Sequence, residues 1–344
     1  ELTQGSSNNL ATALQGKVSG VEVKASSGMP GASSQIVIRG ARSFTGDNTP
    51  LYVVDGMPIN STSDVSTQNS VTGSDYATRS MDIDPNDIES INILKGQAAS
   101  ALYGMRASNG VVIITTKSGK GQVKGKPLVT LNTSVSFDDL SVTPNLQTKY
   151  AQGAKGKFNP TASTSWGPVI AELANDATYG GNTDNKYTQK FGLHSGQYYV
   201  PQRAAAGLDP WATPQAYNNV ADFFQLGYTN SNSINVSQNL GGASYSFSLG
   251  NSNSEGIVPS TGLDRYNVKL TTEIKLSDHF TTGGTGNFVT TKISKQTGAN
   301  NGLMAVVFPA PPSYDLAGIP SHVDGDPYTQ NNYRGTAGFD AAYW

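Results

Sequence analysis

The sequence predicts a small α/β domain followed by long antiparallel β-strands. Residues 88–117 contain a strand pattern, a short Ala/Leu-rich helix pattern, an Asn-Gly turn and a β-branched run, an order typical of a compact α/β unit. From residue 128 onward, apolar residues alternate with small polar ones, which indicates strands with two different faces. No window approaches the ~18 consecutive apolar residues of a transmembrane helix.

Composition excludes several classes of protein. The 344 residues carry a net charge of −2 and no cysteine, so they give no basis for nucleic-acid binding, disulfides or thiol chemistry. The three histidines are far apart in sequence and offer little for a metal site. Since Glu1 opens the sequence without a Met or an apolar signal region, we expect a processed or partial product.

Within the first domain, local signals place each element in order. Asn9 is a candidate N-cap for a short helix at residues 10–15 that ends at Gly16. Strands are predicted at residues 18–25, 36–38, 51–54 and 57–59, with Asp55-Gly56 as the turn between the last two. Residues 60–80 form a long Ser/Thr-rich loop, a length that is usually functional or mobile.

The segment at residues 88–117 completes the domain. Ile91 and Ile93 alternate with polar residues in a strand that stops at Gly96. Residues 97–103 are good helix formers, and Gly104 stands at the helix C-cap. Residues 111–116 are almost continuously β-branched, as in a strand buried on both faces. Residues 121–127, which follow the domain, are rich in Gly and Lys and are predicted to be a solvated linker.

The second part of the chain, residues 128–344, has a different pattern. Apolar residues alternate with Ser, Thr and Asn near residues 129–137, 234–249 and 266–293. The pattern fits both a transmembrane barrel and a soluble β-sandwich, and strands of roughly ten residues favour the barrel. Residues 141–228 are predicted to be long loops, with a helix near residues 214–226.

Four motifs in one order carry a resemblance to a known family. They are Asn-Leu-Ala-Thr-Ala-Leu-Gln-Gly-Lys-Val-Ser-Gly-Val (9–21), Ile-Val-Ile-Arg-Gly (36–40), Pro-Leu-Tyr-Val-Val-Asp-Gly-Met-Pro (50–58) and the segment 88–117. Together they resemble the plug domain of SusC/RagA-type TonB-dependent outer-membrane transporters, over roughly residues 9–120. Large plugged transporters close with about 22 strands, whereas the residues after the linker supply about five to seven. The resemblance therefore implies a plug domain (1–120), a linker (121–127) and the N-terminal strands of a large antiparallel transmembrane β-barrel with long loops (128–344), as part of a longer protein.

The resemblance also implies a function. Its members import a large nutrient, an oligosaccharide or a peptide, across the outer membrane of Gram-negative bacteria. They use the TonB complex and the proton motive force, and a SusD-like surface lipoprotein acts as a lid. Only eight residues precede Asn9, so no residue here is assigned to TonB contact. The remaining partners implied are outer-membrane lipid and the rest of the barrel, and no enzymatic activity is implied.

Two alternatives to an importer remain. One is a non-transporting structural or binding component of a surface complex. The other is a secreted glycan-active enzyme, which the lack of an acid/base motif disfavours.

Charged residues within the motifs are candidates for holding the plug inside the barrel. They are Arg39, Asp55, Glu89, Lys95 and Arg106. Charge-assisted hydrogen bonds are directional and can break without exposing an apolar core, and we expect Arg39 and Arg106 to pair with barrel carboxylates. Surface or turn roles are the alternative. Gly40, Gly56, Gly104 and Gly110, with Asn109, are expected to serve backbone geometry.

Two further expectations concern substrate contact and calcium. The candidates for substrate contact are Tyr76, Arg79, Trp166, Tyr198, Tyr199 and Trp211, although the aromatic residues equally fit an interfacial girdle or packing within their loops. Two sets of neighbouring aspartates could supply carboxylate oxygens as calcium ligands. They are Asp82, Asp84 and Asp87, and separately Asp324 and Asp326. Neither has EF-hand spacing, and turns or helix caps explain them better. No other cofactor is expected.

Overall fold

The computed structural model describes residues 10–41, 48–59, 78–296, 302 and 304–335. The chain divides into two compact units. The first comprises residues 1–69, 75–138 and 226–295, and the second comprises residues 70–74, 139–225 and 296–344.

The strands of the described residues vary from two-residue ladders to long sheet strands. In chain order they are β1 (Val21–Ala25), β2 (Ser34–Ile38), β3 (Leu51–Val54), β4 (Met57–Ile59), β5 (Ile88–Leu94), β6 (Val111–Thr116), β7 (Leu128–Asp138), β8 (Gly153–Ala154), β9 (Lys157–Phe158), β10 (Tyr198–Tyr199), β11 (Trp211–Ala212), β12 (Gly227–Asn239), β13 (Ala243–Glu255), β14 (Gly262–Lys275), β15 (Thr281–Ser294), β16 (His322–Val323) and β17 (Asp326–Gln330).

The helices are all short. The α-helices are Leu10–Ala13, Gln97–Tyr103, Lys186–Phe191, Pro201–Ala205, Asn219–Phe223 and Met304–Val307, and the 3-10 helices are Arg79–Asp82, Pro85–Asp87, Met105–Ala107 and Ile170–Asn175. None of the helices among the described residues has the length and apolar character needed to cross a membrane.

The α/β domain of the first unit is built on a four-stranded sheet in the order β4-β3-β6-β5. The central pair β3–β6 is parallel, and the outer pairs are antiparallel. Val111, Val112 and Ile114 of β6 are fully buried, as predicted for a strand covered on both faces. The predicted order of strand, helix, turn and strand is confirmed.

A hairpin of β1 and β2 packs with this sheet around one apolar core. Leu10, Ile36, Tyr52 and Ile114 are among its buried members. The predicted first strand starts three residues late, at Val21, because the chain turns at Gly20 with φ +69°. The predicted N-cap Asn9 lies outside the described residues.

The five-stranded sheet of the first unit is antiparallel throughout, in the order β15-β14-β13-β12-β7. Its large apolar side chains are exposed: Leu131 is 70% and Phe288 is 66% accessible. Its small polar side chains on the opposite face of β12, β13 and β14 are buried. A sandwich would bury the apolar face, so the structure supports the barrel alternative, in which lipid covers that face.

The predicted linker is not simply solvated. Residues 121–127 are mostly exposed, yet Gly125 N donates to Asn239 O at the end of β12 (2.7 Å). Gln238 Nε2 also donates to Gly125 O (3.2 Å). The compact units group the α/β domain with the five strands, whereas the boundaries at 1–120, 121–127 and 128–344 follow sequence motifs. Those boundaries stay a prediction.

The second unit has more order than the predicted long loops. Ile170, Leu173, Tyr198 and Trp211 are buried in it. Much of its backbone is fixed by side chains: Gln152 Nε2, for example, donates to Ala162 O (2.7 Å). Such hydrogen bonds leave no periodic signal in a sequence. The predicted helix at 214–226 is confined to Asn219–Phe223.

Candidate functional site

The candidate site is the polar face of the five-stranded sheet, here called the inner face, together with the α/β domain that covers it. Buried residues of the inner face are Thr229, Ser233, Asn235, Ser237, Ser244, Ser246, Ser248, Ser252, Ser254, Arg265, Asn267 and Lys269. Hydroxyl and amide groups pair across strands, as in the contact of Asn235 Nδ2 with Ser248 Oγ (2.7 Å). A buried face of this kind is stable only when its polar groups are satisfied.

Three residues of β14 make polar contacts with the turns of the α/β domain. Arg265, Asn267 and Lys269 stand at alternate positions, so all three side chains point to the inner face. Asn267 Nδ2 donates to Asp87 Oδ2 (3.2 Å). Lys269 Nζ lies 3.7 Å from Asp55 Oδ2, and Arg265 Nη2 lies 3.9 Å from Asp84 Oδ1.

The Asp55 carboxylate joins three elements. Asp55 and Gly56 have positive φ (48° and 86°) in the turn between β3 and β4, the conformation of tight hairpin turns. Oδ1 accepts from Thr116 N (2.8 Å) and Oδ2 accepts from Thr116 Oγ1 (2.6 Å), at the end of β6. The same Oδ2 faces Lys269. The predicted turn thus also presents a carboxylate to β14.

The turn at residues 84–87 supplies the other two carboxylates. Asp84 Oδ1 accepts from Asn86 N (2.8 Å) as the N-cap of the 3-10 helix Pro85–Asp87. Arg265 Nη1 donates to Met81 O (3.2 Å) just before this turn. Asp87 is buried, and burial raises the pKa of its carboxyl above the ordinary value, with the nearby Asp84 charge acting in the same direction.

Both candidate calcium groups are engaged in ordinary polar contacts. Asp84 caps a turn and faces Arg265, and Asp87 accepts from Asn267. Asp326 accepts from Tyr328 N (3.0 Å) and Thr329 Oγ1 (2.6 Å) within its own turn. These contacts assign Asp84, Asp87 and Asp326 to capping and pairing.

Glycines allow the α/β domain to approach the sheet closely. A Cβ on Gly250, opposite Asn267 on β13, would lie 2.8 Å from Asp84 Oδ2 and still closer to Asn267 Oδ1. A Cβ on Gly31 would lie 2.8 Å from Ile293 on β15. Real Cβ atoms do not come so near, so a side chain at either position would force the facing side chains of Asn267, Asp84 or Ile293 to shift.

The other predicted charged residues lie elsewhere on the α/β domain. Arg39, Glu89 and Arg106 are exposed, and Lys95 Nζ donates to Ser19 O (2.6 Å). Among the ion pairs of the described residues, none joins Arg39 or Arg106 to a strand carboxylate. Two observed pairs have the opposite arrangement, with the cation (Arg265 or Lys269) on the strand and the carboxylate (Asp84 or Asp55) on the domain. The third joins Lys120 to the strand carboxylate of Glu273. Pairing of Arg39 and Arg106 with barrel carboxylates stays a prediction.

The predicted backbone positions have the following geometry. Gly40, Gly104 and Gly110 have φ of 86°, 70° and 100°. A Cβ on Gly110 would lie 2.7 Å from Ile38 Cδ1 and 3.0 Å from Leu94 O, so this position needs glycine on both counts. Asn109 Nδ2 donates to Thr49 O (3.4 Å).

The predicted substrate-contact residues have different environments. Tyr198, Tyr199 and Trp211 are buried in the second unit, with the rings of Tyr199 and Trp211 edge to face at 5.6 Å. For these three the structure favours the alternative of packing within their own unit. Trp166 is exposed, and substrate contact there stays a prediction. Tyr76 and the side chain of Arg79 lie outside the described residues.

Comparison with known proteins places this geometry in a family. Residues 1–111 match the family model of the TonB-dependent Receptor Plug Domain. The chain is 31% identical over 307 residues to the TonB-dependent receptor P26 of Formosa agariphila, and 39% identical over 171 residues to the TonB-dependent receptor SusC of Bacteroides thetaiotaomicron. These matches cover 89% and 49% of the chain.

The chain belongs to the SusC/RagA-like TonB-dependent receptors. Its α/β domain is the plug, and the five-stranded sheet is part of the barrel. The structure of the RagAB peptide importer in its closed-closed state has the same fold over 97% of the chain, with a TM-score of 0.66 and 22% identity. The receptor chain covers 26% of P26, 15% of SusC and 35% of that RagAB chain.

Sequence reasoning missed the barrel half of the plug contact. The inner positions of β12 and β13 hold Gly, Ser, Thr and Asn, whereas β14 has Arg265 and Lys269 at two of them. A charged side chain at an inner position of an alternating strand, where the preceding strands β12 and β13 have only Gly, Ser, Thr and Asn, is the signal that marks them. Applied to the sequence, that rule also selects Glu273, which pairs with Lys120 just after the plug motifs (2.5 Å).

Proposed function

We propose that this receptor actively imports a large nutrient, an oligosaccharide or a peptide, across the outer membrane of a Gram-negative bacterium. The observation that carries the proposal is the contact between plug and barrel. Its described polar contacts are ion pairs and hydrogen bonds over small polar side chains. Polar contacts can be exchanged for water when the plug moves, so the plug can close the barrel at rest and open it for a solute.

The proposed energy source and partners come from the family. The TonB complex, driven by the proton motive force, pulls the plug through a segment that is not assigned in this chain. A SusD-like surface lipoprotein covers the receptor and delivers substrate. The name of the RagAB peptide importer favours peptides for that protein, but a likeness in fold leaves oligosaccharide and peptide equally open here. No covalent chemistry is proposed.

Uptake by cells tests the proposal. Cells with and without the intact receptor receive labelled oligosaccharides and labelled peptides, each with and without a protonophore. Receptor-dependent accumulation that the protonophore abolishes supports import. Receptor-dependent binding that stays at the surface and ignores the protonophore would instead identify a non-transporting binding component.

Intact mass and solubility provide a second measurement. An importer is a closed barrel, so the native protein is expected to be several times larger than 36.1 kDa and to need detergent for extraction. A detergent-free monomer of 36.1 kDa would exclude both membrane alternatives.

A further inference from the structure

The two strand cations of the plug contact are neutralised by the plug. The side chains of Arg265 and Lys269 are only 4% and 7% accessible, and their described ion pairs end on Asp84 and Asp55. Both carboxylates belong to the plug. Movement of the plug away from β14 therefore removes these counter-charges from the two cations together.

The neighbouring strands do not replace that charge. Across β13, Arg265 faces Ser252 and Lys269 faces Ser248, and across β15 they face Thr291 and Asn287. All four neighbours are neutral. Glu273 shares the inner face of β14, but it lies four residues beyond Lys269 and pairs with Lys120. The cations thus dominate the middle of this strand once the plug has moved.

We propose that Arg265 and Lys269 form an anion-binding strip, which plug carboxylates occupy at rest and which a solute bearing carboxylate or sulfate groups occupies during passage. The strip rests on the proposed function, because it opens only if the plug moves. Cationic side chains that line a pore attract anions and select for them. An anionic group that replaces Asp55 or Asp84 restores the pairing that the moving plug gives up.

The spacing indicates which solutes gain most. Four residues along a strand separate the two Cα atoms by roughly 13 Å. Asn267 lies between them on the same face and adds an amide. A chain with repeated anionic groups, such as an acidic oligosaccharide or an acidic peptide, can contact both cations at once, whereas a small monovalent anion reaches one.

A binding experiment on the intact receptor tests the strip without any transport. The double variant Asp55→Asn/Asp84→Asn keeps the shape of the contact and removes the two carboxylates that form ion pairs with the strand cations. Asp87, which also acts on Lys269, is present in every variant compared. Its thermal unfolding is followed while sulfate replaces chloride at constant ionic strength. We expect a saturable rise of the unfolding temperature in this variant, since a ligand bound only to the folded state stabilises it.

Two controls remove the general stabilising effect of sulfate. They are the unaltered receptor, whose strip is occupied, and the quadruple variant that adds Arg265→Gln and Lys269→Gln. Neither is expected to show a saturable component. An equal response in the double and quadruple variants would overturn the proposal. Repeating the titration with an oligogalacturonate distinguishes a polyanionic solute from free anions as the ligand. If oligogalacturonate reaches half-saturation at a lower concentration of anionic charge than sulfate does, the strip favours a polyanionic solute. If the two concentrations are equal, the strip is a site for free anions.

A second measurement tests the strip if the Asp55→Asn/Asp84→Asn variant fails to fold. In planar bilayers with a salt gradient, the reversal potential of the intact receptor's open events reports its anion preference. Arg265→Gln/Lys269→Gln is expected to shift that potential towards cation preference, and an unchanged potential would contradict the strip. Because neither assay needs uptake, failed import with positive anion binding would reject the proposed function alone.

Discussion

Lys269 of the barrel and Asp55 of the plug face one another across the inner surface of the sheet, with Nζ and Oδ2 3.7 Å apart. The lysine is buried, whereas the Asp55 side chain keeps 31% of its accessibility and two hydrogen bonds from Thr116. The pair therefore lies at the edge of the buried contact. Its loss would leave the Lys269 ammonium group buried without Asp55, whereas Asp55 would keep its exposure to solvent and its hydrogen bonds from Thr116.

Lys269→Met tests what this pair contributes to holding the plug. Removing one partner of a fully buried pair costs about 3–5 kcal/mol, and the partial exposure of Asp55 reduces our expectation to about 1–2 kcal/mol. Faster hydrogen exchange in plug segments next to Asp55 and Thr116 of the intact receptor would report the loss. The matched control is Lys275→Met on the same strand: Lys275 pairs with Asp278 in solvent (2.7 Å) and should have no measurable effect. Equal exchange in both variants would show that Lys269 does not hold the plug.

Gly250→Ala is expected to push the plug from the barrel. The new methyl group would lie 2.8 Å from Asp84 Oδ2, and overpacking of this kind costs about 1–3 kcal/mol. Passive leak of a small solute through the receptor in proteoliposomes should rise. Gly284→Ala on β15, where a Cβ meets nothing within 4 Å, is the control. If both variants leak alike, the close approach at Gly250 is not what seats the plug.

Thr116→Val separates the plug's own hydrogen bond from its contact with the barrel. The change keeps the shape of the side chain but removes the Oγ1 donor to Asp55 Oδ2 (2.6 Å). Loss of a hydrogen bond to a charged group costs about 1.5–3 kcal/mol. Exchange should therefore quicken at the ends of β3 and β6. Thr115→Val, at the exposed neighbouring position, should leave these amides unchanged, and a similar effect of both changes would reject the role of the Thr116 hydroxyl.

The plug contact should weaken as pH rises through the pKa of Asp87. Burial raises this pKa in the attached plug, while a detached plug exposes the carboxyl and restores its ordinary value of about 3.9. The attached state then binds more protons between the two values, so attachment is firmest in acid and loses stability across that window. The charged groups acting on Asp87 are Asp84, Lys269 and Lys117.

Asp87→Asn isolates that titration. The amide keeps an acceptor for Asn267 Nδ2 but is neutral at every pH. Solute leak in proteoliposomes should rise with pH in the unaltered receptor and rise less steeply in the variant, because other carboxylates still titrate. Identical pH profiles would mean that Asp87 does not set the strength of the contact.

Local patterns predicted most of the plug and little of its contact with the barrel. The strand, helix and turn signals between Ile88 and Thr116 depend on neighbouring residues, so sequence alone located β5, the helix Gln97–Tyr103 and β6. The contact between Asp87 and Asn267 joins residues 180 positions apart, and no local pattern connects them. The expectation that arginines on the plug pair with carboxylates on the barrel was based on the plug motifs alone. It left out the cations on the strands.

The second unit shows a different reason for failure. Its helix Lys186–Phe191 begins at a capping box in which Asn185 Oδ1 accepts from Thr188 N and Thr188 Oγ1 accepts from Asn185 N. The fold here depends on which Asn and Thr side chains reach the backbone. A sequence rich in both residues offers many such pairings and does not show which ones form.

The two Asn caps of that unit provide the last prediction. Asn185 is buried, accepts from two amides of its helix, and donates through Nδ2 to Gly180 O (2.7 Å). Asn218 caps the helix Asn219–Phe223 through one long bond to Ala221 N (3.4 Å). An N-cap is worth about 0.5–2 kcal/mol, and an unsatisfied buried partner adds about 1–3 kcal/mol. Asn185→Ala should therefore open its helix to hydrogen exchange and to limited proteolysis of the intact receptor, whereas Asn218→Ala should change little at its own. Equal protection in the two variants would mean that the unit is held by its apolar core around Leu173 and Tyr198, and not by its side-chain caps.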